Sequence, residues 1–336
     1  MGTVRRYGGF TEEENFNPAV PPEAKFHIEI SSAGLDVPPN PNVEFESGLY
    51  RGRREIRPGY YTPSGNIVFP INVRAIGYFL KWALGEYKFT DGGAGTNTHE
   101  IYGKEGTSLP SFTARIGKDA FEHIFTGVTI NSLNLEIGGD WLLCTIDCFA
   151  GKDHKGTLKE IADLDLFEEK MLTFIAAGVS FGGVGYNCKI KNMTINIANN
   201  IDATGGKGIG TRYPCRFPVG ARNVNLSGTL HFEDETEYAK YWGDNDGIHD
   251  TDSPGNEEII ITIDGGTPGS LELKFPKVQY TQVGAPPSGR SPIDHSFSAY
   301  AIVDTTTLAD AVTEVDTEML ATLENNNDDM DEDIES

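Results

Sequence analysis

Residues 78–85 read Tyr-Phe-Leu-Lys-Trp-Ala-Leu-Gly, and residues 238–243 read Tyr-Ala-Lys-Tyr-Trp-Gly. The two segments begin 160 residues apart, which is nearly half of the 336-residue chain. Alternating apolar residues precede both segments, at residues 67–73 and 224–232, and further alternating segments follow each of them in the same order. A repeat of this size indicates a duplicated domain, because solenoid repeats are only about 20–50 residues long.

The alternation predicts β-strands with one buried face, and the 39 glycines and 18 prolines predict many turns. Each half is expected to contain one helix, over residues 72–84 and 233–242, because apolar residues recur there every three or four positions. Trp82 and Trp242 hold equivalent places in these helices, so we expect both to pack into a core. The sequence thus predicts a mainly β chain of two tandem β-sandwich or barrel domains, each with one flanking α-helix.

The regions outside the repeat are predicted from their composition. A short C-terminal helix is expected because Leu308, Val312, Val315, Met319 and Leu323 lie on one helical stripe. The last residues carry too few apolar side chains to order on their own. Residues at the N-terminus either order on assembly or form a frayed end. We divide the chain into an extended N-terminal arm (1–24), a first β domain (25–151), a linker (152–170), a second β domain (171–303), an amphipathic helix (304–324) and an acidic disordered tail (325–336).

The chain carries 50 acidic and 27 basic residues, for a formal net charge of −23. Such a charge disfavours attachment to nucleic-acid phosphates or to anionic membrane surfaces as the main activity. Adaptation to a salty environment is an alternative cause of the acidity. No segment approaches the roughly 20 consecutive apolar residues of a membrane-spanning helix, so we expect no membrane span.

Motifs for catalysis or cofactor binding are missing from the sequence. The histidines and cysteines lack the spacings of zinc sites, and neither a Gly-x-Ser-x-Gly elbow nor a phosphate-binding loop occurs. We therefore expect no enzyme activity, no cofactor and no metal. One alternative remains at Asp244 to Asp252, where acidic residues are dense enough for a calcium site, although the EF-hand pattern is incomplete and a solvated acidic turn is favoured.

Several segments, taken in order, resemble the tail tube proteins (major tail proteins) of long-tailed bacterial and archaeal viruses. The resemblance spans about residues 45–302, and the order of the segments carries it, since each motif alone is a turn or strand pattern. The segments are Glu46-Ser-Gly, Arg53-Arg-Glu-Ile-Arg-Pro-Gly, Leu109-Pro-Ser-Phe-Thr, Phe125 to Leu133, Phe174 to Gly183, Ile190 to Ile201 and Tyr213 to Leu230.

The resemblance implies a structural virion protein whose stacked rings form a hollow conduit for genome ejection. Because six tube domains normally surround the lumen in this family and this chain has two, we expect a homotrimeric, pseudo-hexameric ring, with a homohexamer as the alternative. The expected partners are further copies of the chain, tail tip and terminator proteins, and viral DNA that passes without sequence-specific binding. The expected location is the virion tail, after synthesis and assembly in the host cytoplasm.

Other classes of function remain open at this point. A carbohydrate-binding or adhesive β-sandwich module would also be mainly β. Another virion β-protein, such as a capsid decoration or tail terminator protein, is a closer alternative. A hydrolase with dispersed carboxylates is a further one, although no pair of acidic residues is singled out by the sequence.

For contact with the adjacent ring we predict the segment of residues 50–66, where arginines lie close to tyrosines. Local ion pairs on a solvated face are the alternative interpretation of the same arginines. The candidate residues are Tyr50, Arg51, Arg53, Arg54, Arg57, Tyr60 and Tyr61.

Overall fold

The computed structural model describes residues 6–38, 42–46, 49, 51–93, 96–167, 171–231, 235–242, 256–266, 269–286 and 293–331. Within them the chain is mainly β, as predicted, with the helices α1 (Val73–Leu84) and α2 (Thr236–Trp242). The strands of the first half are β1 (Gly8–Glu12), β2 (Phe26–Ile28), β3 (Ser32–Ala33), β4 (Asn42–Glu46), β5 (Arg53–Pro58), β6 (Ser64–Pro70), β7 (Gly85–Thr90), β8 (Asn97–Gly103), β9 (Phe112–Gly117), β10 (Glu122–Ile137), β11 (Leu143–Phe149) and β12 (Lys152–Gly156). Those of the second half are β13 (Ala177–Phe181), β14 (Val184–Gly185), β15 (Ile190–Ala198), β16 (Asn223–His231), β17 (Asn256–Asp264), β18 (Ser270–Gly284), β19 (Asp294–Ala301), β20 (Asp304–Thr307), β21 (Glu314–Thr317) and β22 (Leu320–Asn325).

The strands of each half are connected in one order. In the first half the antiparallel neighbours run β2, β1, β9, β10, β11, β6 and β3. In the second half they run β14, β13, β17, β18, β19, β16 and β15. The beginning of β10 also pairs with β12, and the beginning of β18 also pairs with β22. Helix α1 follows β6 along the chain and α2 follows β16, so the helices too hold matching places.

The two long strands, β10 and β18, have register shifts at corresponding places in the two halves. The ladder between β10 and β11 shifts register between Ile130 and Ser132, and the ladder between β18 and β19 shifts between Tyr280 and Gln282. A bulge adds one residue to one strand and bends it. Both long strands therefore bend where they pass from one neighbouring strand to the next.

Two seams join the halves into one open sheet. Residues 132–137 of β10 pair with residues 193–198 of β15, and β22 lies between β18 of the second half and β8 of the first. Following these pairings through the described strands never leads back to the starting strand, so the barrel alternative is wrong for this part of the chain. A single cluster of buried apolar side chains extends through both halves.

Helix α1 forms the centre of the core in the first half. The Asn72 side chain accepts hydrogen bonds from two backbone N–H groups of the first turn, and Gly85 ends the helix at φ +97°, where glycine is favoured. The Trp82 ring is fully buried, stacks on Phe112 at 4.3 Å between centroids and donates its N–H to Glu12 at 2.8 Å. The predicted core role of Trp82 is confirmed, whereas Trp242 is only half-buried.

The predicted C-terminal helix over residues 304–324 is wrong. This segment forms β20 and β21, which pair with each other, and then β22. Met319 and Leu323 are fully buried, but Val312, on the same supposed stripe, is 82% exposed. The free edges of β8 and β18 decide the conformation, because a strand that pairs with both satisfies more backbone groups than a surface helix.

The acidic tail also differs from the prediction. Residues 325–331 pack on the body instead of being disordered, while 332–336 lie outside the described residues. The Asn327 backbone carbonyl accepts from Asn97, Met330 is 1% exposed, and Asp331 lies 2.5 Å from the buried ammonium of Lys81. Contacts with α1 and with Asn97 of β8 thus order these residues of the acidic segment.

The arm and the linker likewise contain strands. Within the expected arm, β1 lies between β2 and β9, and its Phe10 is fully buried. The expected linker begins with β12, which pairs with β10. The candidate calcium loop at Asp244 to Asp252 lies outside the described residues.

We expect β22 to be required for stability. Leu323→Ala should lower the free energy of unfolding by about 2–5 kcal/mol, because it leaves a cavity between the two halves. Removal of residues 318–336 should lower the melting temperature further, whereas removal of 332–336 serves as the matched control and should leave it unchanged. Equal melting temperatures for the two truncations would show that β22 is dispensable.

Candidate assembly surfaces

The hairpin of β4 and β5 stands apart from the large sheet. In the described part of the chain these two strands pair only with each other. The side chains of Val43 and Ile56 are 62% and 54% exposed, and Leu49 in the connection is 84% exposed. Val43 and Ile56 belong to adjacent pairs and therefore lie on opposite faces of the ribbon, so both faces expose apolar side chains that another molecule could cover.

The predicted arginines lie on this hairpin. Arg53 forms an ion pair with Glu44 at 2.8 Å and Arg57 with Glu55 at 2.5 Å, all with exposed side chains. Such pairs contribute about 1 kcal/mol or less, so they leave the arginines available to another partner. Arg51 is exposed, whereas Tyr50 and the side chain of Arg54 lie outside the described residues.

The two predicted tyrosines lie where the hairpin joins the body. Tyr61 donates from its hydroxyl to Asp153 at 2.7 Å and from its backbone N–H to the carbonyl of Arg212 at 2.8 Å. Burial, followed by the hydrogen bond to Asp153, raises the pKa of Tyr61, so its hydroxyl stays protonated. The half-exposed Tyr60 ring lies under the ammonium of Lys207 at 4.8 Å. Asp153, Arg212 and Lys207 thus connect the hairpin base to both halves.

A free strand edge lies along β3 and the residues after it. On one side this segment pairs with β6, through Ala33 opposite Ile67 and a bridge between Asp36 and Ser64. On its other side no described strand is paired with it, and Val37 is 48% exposed. Burial alone would raise the pKa of Asp36, but hydrogen bonds from the Val37 N–H and the Lys118 ammonium outweigh it and lower the pKa. Asp36 is therefore ionised at neutral pH.

At the end of β18, a second edge has no paired strand among the described residues. Residues 282–284 pair with β19 on one side, while the pairing of β18 with β17 on the other side ends at Gln279. Exposed strand edges in soluble proteins are sites for pairing with another chain. The edges at β3 and at the end of β18 are thus two of the described edges that could pair with another chain.

The comparison with known families decides between the classes of function. A family model described as phage tail tube protein matches residues 7–301, nearly the whole chain. The chain belongs to the phage tail tube protein family. A search of curated proteins found no match.

As a tail tube protein the chain is a structural component of the virion tail, and its family implies self-assembly into a tube. The predicted resemblance is confirmed, and nothing favours the carbohydrate-binding module, the other virion proteins or the hydrolase. The described residues contain no group of three or more potential metal ligands. No helix among them is long and apolar enough to cross a membrane.

The family match ends at the last residue of β19. The strands β20, β21 and β22 therefore extend this tail tube protein beyond the matched region. Since β22 pairs with both halves, the extension is an integral part of the sheet.

We expect Tyr61→Phe to lower the free energy of unfolding by about 1 kcal/mol, because it removes the hydrogen bond to the partly buried Asp153. Urea denaturation of the purified tail tube protein measures this change. Tyr60→Phe is the matched control, since its ring is half-exposed, and it should have a smaller effect. Equal losses in both variants would argue against the anchoring of the hairpin base by Tyr61.

Proposed function

We propose that this tail tube protein closes into homotrimeric rings with pseudo-sixfold symmetry, which stack into the conduit for the viral genome. Each chain would supply two tube domains that arose by duplication, residues 25–151 together with β1 of the preceding arm, and residues 171–303. The supporting observation is the strand order, since β2, β1, β9, β10, β11, β6 and β3 correspond in place and pairing to β14, β13, β17, β18, β19, β16 and β15.

The register shifts support the duplication more specifically than strand order alone. Unrelated sheets built from β-hairpins can share a strand order. A bulge at the same step of the same ladder is more specific evidence of a common origin. The shift after Ile130 corresponds to the shift after Tyr280 in this way. Five residues before each shift lies a fully buried phenylalanine, Phe125 in β10 and Phe275 in β18.

Two similar units in one chain favour a ring of three chains. A heterologous contact between the second unit of one chain and the first unit of the next generates a closed ring when the rotation fits. Three chains then place six similar units around the lumen. A homohexamer would instead require that only one unit of each chain faces the lumen.

The charge of the chain is suited to a conduit. With a net charge of −23, assembled rings repel the phosphates of DNA at short range, whereas a basic wall would bind them. DNA therefore passes without sequence-specific contacts. Tail tip and terminator proteins would bind the two ends of the tube, and assembly would take place in the host cytoplasm.

The hairpin of β4 and β5 is the proposed contact with the adjacent ring. It projects from the sheet, and its base is fixed by Tyr61. Its exposed apolar residues supply area to bury, and its arginines supply charges that can exchange their local carboxylates for those of the neighbour. Tyr50, Arg51, Arg53, Arg54, Arg57, Tyr60 and Tyr61 remain the candidate residues.

We expect purified protein to form rings, and electron micrographs of them to show sixfold-like outlines with threefold averages. Native mass spectrometry should give three chains of 36.6 kDa for each ring. Rings of six chains would support the homohexamer instead. A monodisperse monomer that binds glycans would contradict the proposal and favour the carbohydrate-binding module.

We expect the double variant Val43→Asp and Ile56→Asp to form rings but few or no tubes, because buried carboxylates at the ring-to-ring contact are unfavourable. Tube length in electron micrographs measures the effect. Val312→Asp, at another exposed valine, is the control and should give tubes of normal length. Normal tubes from the double variant would remove the hairpin from the stacking contact.

A further inference from the structure

The seam between β10 and β15 shows how one unit of this chain meets another. In it Leu133 lies opposite Ile197 and Leu135 opposite Ile195, and all four side chains are fully buried. The two strands are antiparallel, and each has a further neighbour on its other side. The seam is therefore a continuous part of the sheet.

The positions equivalent to this seam can be read directly from the pairings. In the first half, one row across the sheet runs from Leu133 through Ile146 and Ile67 to Ala33. In the second half the same row runs from Val283 through Phe297 and Gly228 to Met193. Leu133 of β10 thus corresponds to Val283 of β18, and Ala33 of β3 corresponds to Met193 of β15.

The same correspondence assigns the two free edges to the positions that β15 and β10 hold at the seam. Four residues after Ala33 lies Val37, and four residues after Met193 lies Ile197, so Val37 corresponds to Ile197. Ile197 is fully buried by the seam, whereas Val37 is 48% exposed in the single chain. A strand covers this position in the second unit, so we infer that a strand of another molecule covers the matching position, Val37, in the first unit.

We propose that residues 34–38 of one copy pair antiparallel with residues 282–286 of the next copy, with Val37 opposite Val283. The partner is thus a second copy of this chain, and the inference rests on the proposed ring. The apolar alternation agrees, since Leu35 is fully buried on the same face as Val37 and falls opposite Ala285. This contact would repeat between chains the seam that already exists within each chain.

Two backbone N–H groups at these edges already donate hydrogen bonds to side chains in the single chain. The Val37 N–H donates to the carboxylate of Asp36 at 2.8 Å, and the Ala285 N–H donates to the hydroxyl of Tyr238 at 2.6 Å. Exchanging one acceptor for another changes stability little. The driving force is instead the removal of Val37 and Val283 from water. Asp36 keeps the Lys118 ammonium at 3.2 Å as its partner.

The test is a disulfide between the two valine positions. Opposite residues of an antiparallel pair have Cα atoms about 4.5–5.5 Å apart, within the range that a disulfide spans. Val37→Cys and Val283→Cys are combined in one chain, with the exposed thiols removed by Cys188→Ser and Cys215→Ser. After mild oxidation of assembled rings, non-reducing gels should show covalent trimers. Val312→Cys combined with Val283→Cys is the control and should give uncrosslinked chains.

The outcomes separate this inference from the proposed ring. Covalent trimers support both. Three-chain rings in electron micrographs and mass spectra without crosslinking overturn the pairing and leave the ring intact. Absence of rings from the unmodified protein overturns the ring and the pairing together.

A second variant tests the same contact without cysteine. Val37→Glu should abolish ring formation, because an ionised carboxylate would replace the apolar contact with Val283. Its melting temperature as a monomer should match that of the unmodified chain, since the side chain is half-exposed there. Val312→Glu should assemble normally. Rings formed by Val37→Glu would overturn the pairing.

Discussion

The structure depends on the pairing of both edges of the long central strand β10. Strand β10 has β11 and β12 on one side and β9 and then β15 on the other, so its backbone N–H and C=O groups find partners almost throughout. Unpaired backbone groups in a buried sheet are costly, and this constraint draws the second half onto the first. It also draws the C-terminal strand β22 into the gap between β8 and β18. The bulges let each long strand turn from one set of neighbours to the next.

Local features were predictable from the sequence. The helix α1 begins after Asn72 and ends at Gly85 as its cap residues indicate, and the alternating segments are strands. The strands of the C-terminal segment were not predictable. The spacing of Leu308, Val312 and Leu323 is compatible with a helix, and only the distant edges of β8 and β18 select a strand. Amphipathic spacing thus indicated that residues of this segment are buried, but it did not determine whether the segment forms a helix or a strand.

The candidate site was predictable only in part. The arginines and tyrosines of residues 50–66 share a segment, so their proximity follows from the chain itself. The residues that fix Tyr61 come from far away, with Asp153 on β12 and Arg212 in the second half. No local pattern links them to the hairpin. The free edges at Val37 and Val283 were likewise invisible without the pairings, since nothing in a short segment shows on which side a strand lacks a neighbour.

The position of β22 has a consequence for synthesis. Its neighbour β8 emerges from the ribosome more than two hundred residues earlier. At about 5–20 residues per second, the slot beside β8 stays empty for roughly 10–40 seconds in every nascent chain. During that interval the edge of β8 that β22 later covers can pair with strands of other nascent chains.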